Sequence, residues 1–119
     1  MNQEPMSEDN RRVRAHVWVK GRVQGVGFRA HVEYSARQMS GLTGWVRNVG
    51  YDRVEAIAEG ERATVERFIQ MMKDGPRGSR VDEAKVEWES PTGEFGQFGV
   101  RRSMWLTRFS EKSCFALNL

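Results

Sequence analysis

The stretch Val23–Arg29 reads V-Q-G-V-G-F-R and concentrates the residue types that can hold an anion. Gly25 and Gly27 let the backbone approach a ligand without Cβ interference, and they admit the positive φ values that aim successive N–H groups into one concavity. Apolar positions then recur at helical spacing, Phe28, Val32, Ala36 and Met39, so the loop opens a helix that runs to near Gly41. The first N–H groups of a helix lack intrahelical partners and lie at the positive end of its dipole, which suits an anion of phosphate size. Arg29 falls in the first turn, where its guanidinium can fold back and offer two parallel donors to phosphate oxygens. Gly-rich strand-to-helix loops also occur without ligands, and first-turn arginines are commonly only solvated, so the loop by itself leaves both readings open. It is not a Walker A sequence, because no Lys followed by Ser or Thr comes after the last glycine, and it lacks the third glycine of a dinucleotide fingerprint.

Other residues capable of chemistry have plainer explanations. His16 and His31 have no accompanying ligand cluster and read as surface histidines. Asp52, Glu55 and Glu59 alternate with cations and read as a solvated charged face rather than an acid-base pair. Trp18 and Trp45 read as sheet-packing residues. Cys114 is the single cysteine, which excludes an intrachain disulfide and a multi-Cys metal site; a reducing compartment, the cytoplasm, is expected.

The elements that must position the loop follow from periodicity. Val13, Ala15, Val17 and Val19 alternate with Arg14, His16, Trp18 and Lys20, which predicts a half-buried strand over 13–20. Strand-like runs at 44–49 and 53–58 flank a turn at 50–52 and predict a hairpin. Val65, Phe68, Ile69 and Met72 mark a second helix from Arg62 to about Lys73, stopped by Gly75 and Pro76. Further strands are expected at 81–88 and 95–100, with a turn at 90–93 between them. The order β-α-β-β-α-β plus an extra C-terminal strand predicts a ferredoxin-like α/β (α+β) sandwich, its two helices on one face of a mostly antiparallel sheet.

The chain of 119 residues then divides into a disordered lead-in at 1–12, one domain at 13–101 and a tail of unknown role at 102–119. The net charge of +3 resides in the last 19 residues, so the body of the domain is neutral. That argues against nucleic acid as a partner. No apolar run reaches the roughly 20 residues of a bilayer span, and no membrane partner is expected. The tail mixes Trp105, Leu106, Phe109, Phe115, Leu117 and Leu119 with cations. Such a segment suits either an amphipathic contact or an extension without a role.

The stretch Val19–Arg29, V-K-G-R-V-Q-G-V-G-F-R, followed by Gly44–Asn48, G-W-V-R-N, resembles the signature of the acylphosphatase family. Later family-like pieces stand at Arg53–Glu55, Gly60, Gly75, Pro76 and Val81, so the resemblance spans about residues 13–101 in order. It implies a metal- and cofactor-free hydrolase that cleaves acyl phosphates to carboxylate and inorganic phosphate. Carried over residue by residue, it implies Arg29 as the phosphate-binding arginine and Asn48 as the residue that positions the attacking water. The backbone of Val23, Gln24, Gly25, Val26, Gly27 and Phe28 completes the cradle. The family's usual N-x-x-D-G turn is altered here to Asn48-Val49-Gly50-Tyr51-Asp52, which bears on substrate preference and invites Tyr51 to the mouth of the site.

The alternatives are a non-catalytic accessory domain, as acylphosphatase-like units occur inside hydrogenase maturation proteins, and an RNA-binding module of the same fold. The presence of both Arg29 and Asn48 favours the enzyme. The string G-V-G-F-R precedes the first helix instead of lying on the third strand, which disfavours RNA recognition. A monomer is expected.

Overall fold

Alternating apolar residues make the first strand, and the structure, a computed structural model, describes residues 11–105. Strand β1, Arg12–Arg22, buries Ala15, Val17 and Val19 completely on one face. It is followed by α1, Phe28–Arg37, then β2, Thr43–Val49, and β3, Arg53–Glu61. Helix α2, Arg62–Asp74, leads to β4, Arg80–Glu89, and to a short β5, Gly99–Val100. The sheet order is β4-β1-β3-β2-β5. All neighbouring pairs are antiparallel except β2 and β5.

Both helices lie on the same face. Phe28, Val32 and Ala36 of α1, with Val65, Phe68 and Met72 of α2, form one core with Ala15, Val17, Val46, Val54, Ala56 and Ala58 of the sheet. The ferredoxin-like α+β arrangement with an added C-terminal strand is therefore the observed one. Close strand contact at one point depends on the absence of a side chain. A Cβ on Gly44, whose φ is +140°, would collide with the carbonyl oxygen of Ile57 on β3.

Two elements differ from expectation. Helix α1 ends at Arg37, short of Gly41, because the Gln38 and Met39 N–H groups bond the Ser35 and Ala36 carbonyls and tighten the last turn. The strand expected over 95–100 is reduced to Gly99–Val100. Strand β4 is at one edge of the sheet and β5 at the other, so the intervening chain must cross the sheet before it can pair. It turns inward at Phe98, which is 1% exposed and packs on Phe68 with ring centroids 5.5 Å apart.

The weak period of β3 reflects burial on both faces, every residue from Arg53 to Gly60 being buried, and the crossover contributes to this at Glu59. Helices cover one face, and the crossover lies over the other. The Thr92 and Gly93 N–H groups donate to the Glu59 carboxylate at 2.9 and 3.0 Å. The solvated charged face expected for Glu55 and Glu59 is thus corrected: both carboxylates are buried, Glu59 beneath the crossover and Glu55 against Arg47 and His16. Glu55 accepts from the Arg47 guanidinium at 2.7 Å and lies 2.6 Å from His16 Nε2. His16 in turn stacks on the buried Trp18, with centroids 3.8 Å apart. Burial raises the pKa of each carboxylate, but the hydrogen bonds and neighbouring cations outweigh it and hold both below the ordinary value of 4.5.

Candidate functional site

The first turn of α1 opens into a cleft of about 380 Å³ whose lining includes Gln24, Gly25, Gly27, Arg29, Glu33 and Asn48. Three parts of the sequence meet there for separate reasons.

The loop between β1 and α1 bends without making a hydrogen-bonded turn. Gly25 and Gly27 both take left-handed conformations, φ +75° and +77°. Gly27 caps α1 with no side chain bonded to the helix end, and the first turn holds no acidic residue. Among the described residues, none accepts a hydrogen bond from the backbone N–H groups of residues 24–27. These N–H groups thus stand without a partner among the described residues at the positive end of the helix dipole, on a loop whose Gly25 and Gly27 line the cleft.

The loop is held by its own glutamine. The Gln24 side-chain amide donates to the carbonyls of Val49, Gly50 and Arg53 at 3.3, 3.1 and 2.9 Å. It thereby fastens the loop to the β2–β3 turn. A further bond, from the Gly21 N–H to the Asp52 carbonyl at 3.0 Å, ties the end of β1 to the same turn.

Asn48 reaches the cleft by strand alternation. Val46 is on the helix-covered face of β2, so Asn48, two residues on, shares that face at the end of the strand nearest the start of α1. It is the polar residue where the apolar row of β2 ends. Arg29 reaches the cleft from the first turn of α1, and its guanidinium donates to the Ser103 hydroxyl at 3.4 Å.

Of the residues singled out from sequence, Val23, Gln24, Gly25, Gly27, Phe28, Arg29 and Asn48 line one cleft. Val26 does not; its side chain packs against the core. Tyr51 is also absent from the lining and is 79% exposed on the hairpin turn. Glu33 and Ser103 were missed. Glu33 is one helical turn beyond Arg29, a spacing legible in sequence, and it pairs with Arg37 at 3.0 Å. Ser103 carried no signal, since it lies 74 positions from Arg29.

Among the described residues, no group of three or more His, Cys, Asp or Glu side chains is arranged to hold a metal ion. No helix there is long and apolar enough to cross a membrane. Cys114 and most of the aromatic tail lie outside the described residues. So does most of the lead-in expected at 1–12.

A family model for acylphosphatase matches residues 15–100. An acylphosphatase of Roseiflexus sp. (strain RS-1) is 48% identical over 87 residues, 73% of this chain and 92% of that relative. The crystal structure of acylphosphatase from Bacillus subtilis gives a TM-score of 0.70 at 34% identity, covering 75% of this chain and 98% of that one. An acylphosphatase structure from Coxiella burnetii gives 0.71 at 33% identity, over 85% of this chain and all of its own (100%).

Proposed function

Since this chain belongs to the acylphosphatase family and is a hydrolase of acyl phosphates, we propose that Arg29 and the 23–28 loop bind the phosphoryl group and that Asn48 positions the attacking water. The observation that carries the assignment is the convergence of loop, arginine and asparagine on one cleft.

The chemistry needs no strong base. In a carboxyl-phosphate anhydride the leaving group is a carboxylate, so positioning and charge stabilisation supply most of the catalysis. Water attacks phosphorus, its oxygen forms the new P–O bond, and the bridging P–O bond breaks to release the carboxylate. Donors from the loop amides and the Arg29 fork face the non-bridging oxygens, where preorganised dipoles stabilise the charge of the transition state. Asn48 is neutral and cannot take up the proton at pH 7. It orients the water, and the water's proton passes to the phosphate itself. Neither a metal nor a cofactor enters this scheme.

The single cysteine, which leaves no intrachain disulfide to form, supports a cytoplasmic enzyme. The outer edge strand β4 carries Asp82, Glu83, Lys85, Glu87 and Glu89. Such charges oppose edge-to-edge pairing and support a monomer, which size-exclusion chromatography would check.

The decisive experiment follows hydrolysis of benzoyl phosphate with and without a chelator, alongside two variants. Arg29→Ala should lose inhibition by inorganic phosphate and turnover together. Asn48→Ala should keep phosphate inhibition but lose roughly two to three orders of magnitude in rate, as when one positioned polar group is removed. Wild-type turnover in both variants would overturn the residue assignment, and loss of wild-type activity with the chelator would overturn the metal-free scheme.

A further inference from the structure

We propose that Ser103, beyond the family match, is a positioning residue that holds Arg29 toward the phosphate. The proposal rests on the assignment of Arg29 made above.

The family match ends at residue 100, the last residue of β5. The chain nevertheless continues along the edge of β2. The Arg101 N–H donates to the Val46 carbonyl, the Met104 N–H to the Asn48 carbonyl, and the Gly50 N–H to the Met104 carbonyl, each at 2.8 Å. Met104 also forms a parallel bridge with Val49. Ser103 is thus flanked in sequence by two anchored positions, Arg101 and Met104.

The contact with Arg29 fixes where its hydroxyl points. Met104 packs with Trp18 and Val49 on the face of the sheet away from the helices. Its neighbour Ser103 reaches the start of α1, where Arg29 stands. There the Ser103 hydroxyl accepts from Arg29 Nη1 at 3.4 Å. Among the described residues it is the one side-chain polar partner of that guanidinium.

A hydroxyl is suited to this task. It is neutral, so it limits the arginine's rotamers without competing with phosphate as a carboxylate would, and a guanidinium has donors to spare for the phosphate fork. Holding the long side chain beforehand reduces the ordering cost of binding. The same short segment bonds the backbone of Asn48, so it braces both residues assigned to the reaction.

The test measures kcat and KM for benzoyl phosphate, and Ki for inorganic phosphate, in the full chain and in Ser103→Thr and Ser103→Val. These two side chains match in size and differ in the hydroxyl, so both should share a urea midpoint. Ser103→Thr should resemble wild type. Ser103→Val should raise KM and Ki together by about three- to tenfold, the range for loss of one weak hydrogen bond, with kcat within about twofold. Equal KM and Ki in the two variants would overturn the role of Ser103. If Arg29→Ala retained full activity instead, the assignment of Arg29 would fail, so the two failures are distinguishable.

Discussion

Glu59 shows how one side chain can be misjudged from its neighbours in sequence. It alternates with other charged residues, yet it is fully buried and accepts from the Thr92 N–H, the Gly93 N–H and the Thr92 hydroxyl, with Arg14 at 3.4 Å. Donors to the ionised form outweigh desolvation, so its pKa lies below the ordinary 4.5 in the folded state. The stabilisation this provides is complete above the unfolded pKa and is lost as pH falls through the depressed folded value. Glu59→Gln should therefore cost about 1–3 kcal/mol at neutral pH, the scale of hydrogen bonds to a charged acceptor. The cost should shrink in acid. Urea midpoints of both proteins from pH 7 down to about pH 3 would check this, and a pH-independent difference would contradict it. At the site itself the residues were more legible. Arg29 and Gln24 belong to one short motif, but that Gln24 spends its side chain on the 49–53 turn follows only from the fold.

At the scale of elements, the working unit is a strand, a glycine loop and a helix N-terminus, braced by a hairpin turn from elsewhere in the chain. Gly27 is the joint. A Cβ there meets no atom within 4 Å, so the barrier to substitution is conformational rather than steric. Its φ of +77° costs an L-residue roughly 1–2 kcal/mol. Gly27→Ala should thus lower stability by about 1 kcal/mol and weaken inhibition by inorganic phosphate, because relief of the strain turns the loop donors away from the cleft. Denaturant unfolding and a phosphate Ki measure the two effects. Intact phosphate affinity with lowered stability would show that the loop amides do not contribute. The first helix was legible from its 3.6-residue period, whereas its last turn was decided by local i to i−3 bonds at Gln38 and Met39.

Over the whole molecule, the chain must cross from β4 at one edge of the sheet to β5 at the other. The crossing covers the face that the helices leave open, gives Glu59 its donors and inserts Phe98 into the core. Phe98→Ala should cost about 3–5 kcal/mol, as for large-to-small changes at fully buried aromatics. Since Arg37 also donates to the Phe98 carbonyl at 3.0 Å, loosening here should disturb the β5 side of the cleft as well. Guanidinium unfolding monitored by tryptophan fluorescence would register the loss, and a change under 1 kcal/mol would place Phe98 outside the stabilising core.

Local pattern determined the alternation of β1, the period of both helices, and a loop whose glycines and arginine suit an anion, because these depend on residues within a turn or two of one another. The motif and its family likeness brought Asn48 to the same reading. Tertiary structure alone decided that Glu55 and Glu59 are buried, that β5 is short, and that Ser103 meets Arg29. Each depends on segments far apart in sequence being brought together by sheet order and crossover, and such proximity leaves no periodic trace in the chain.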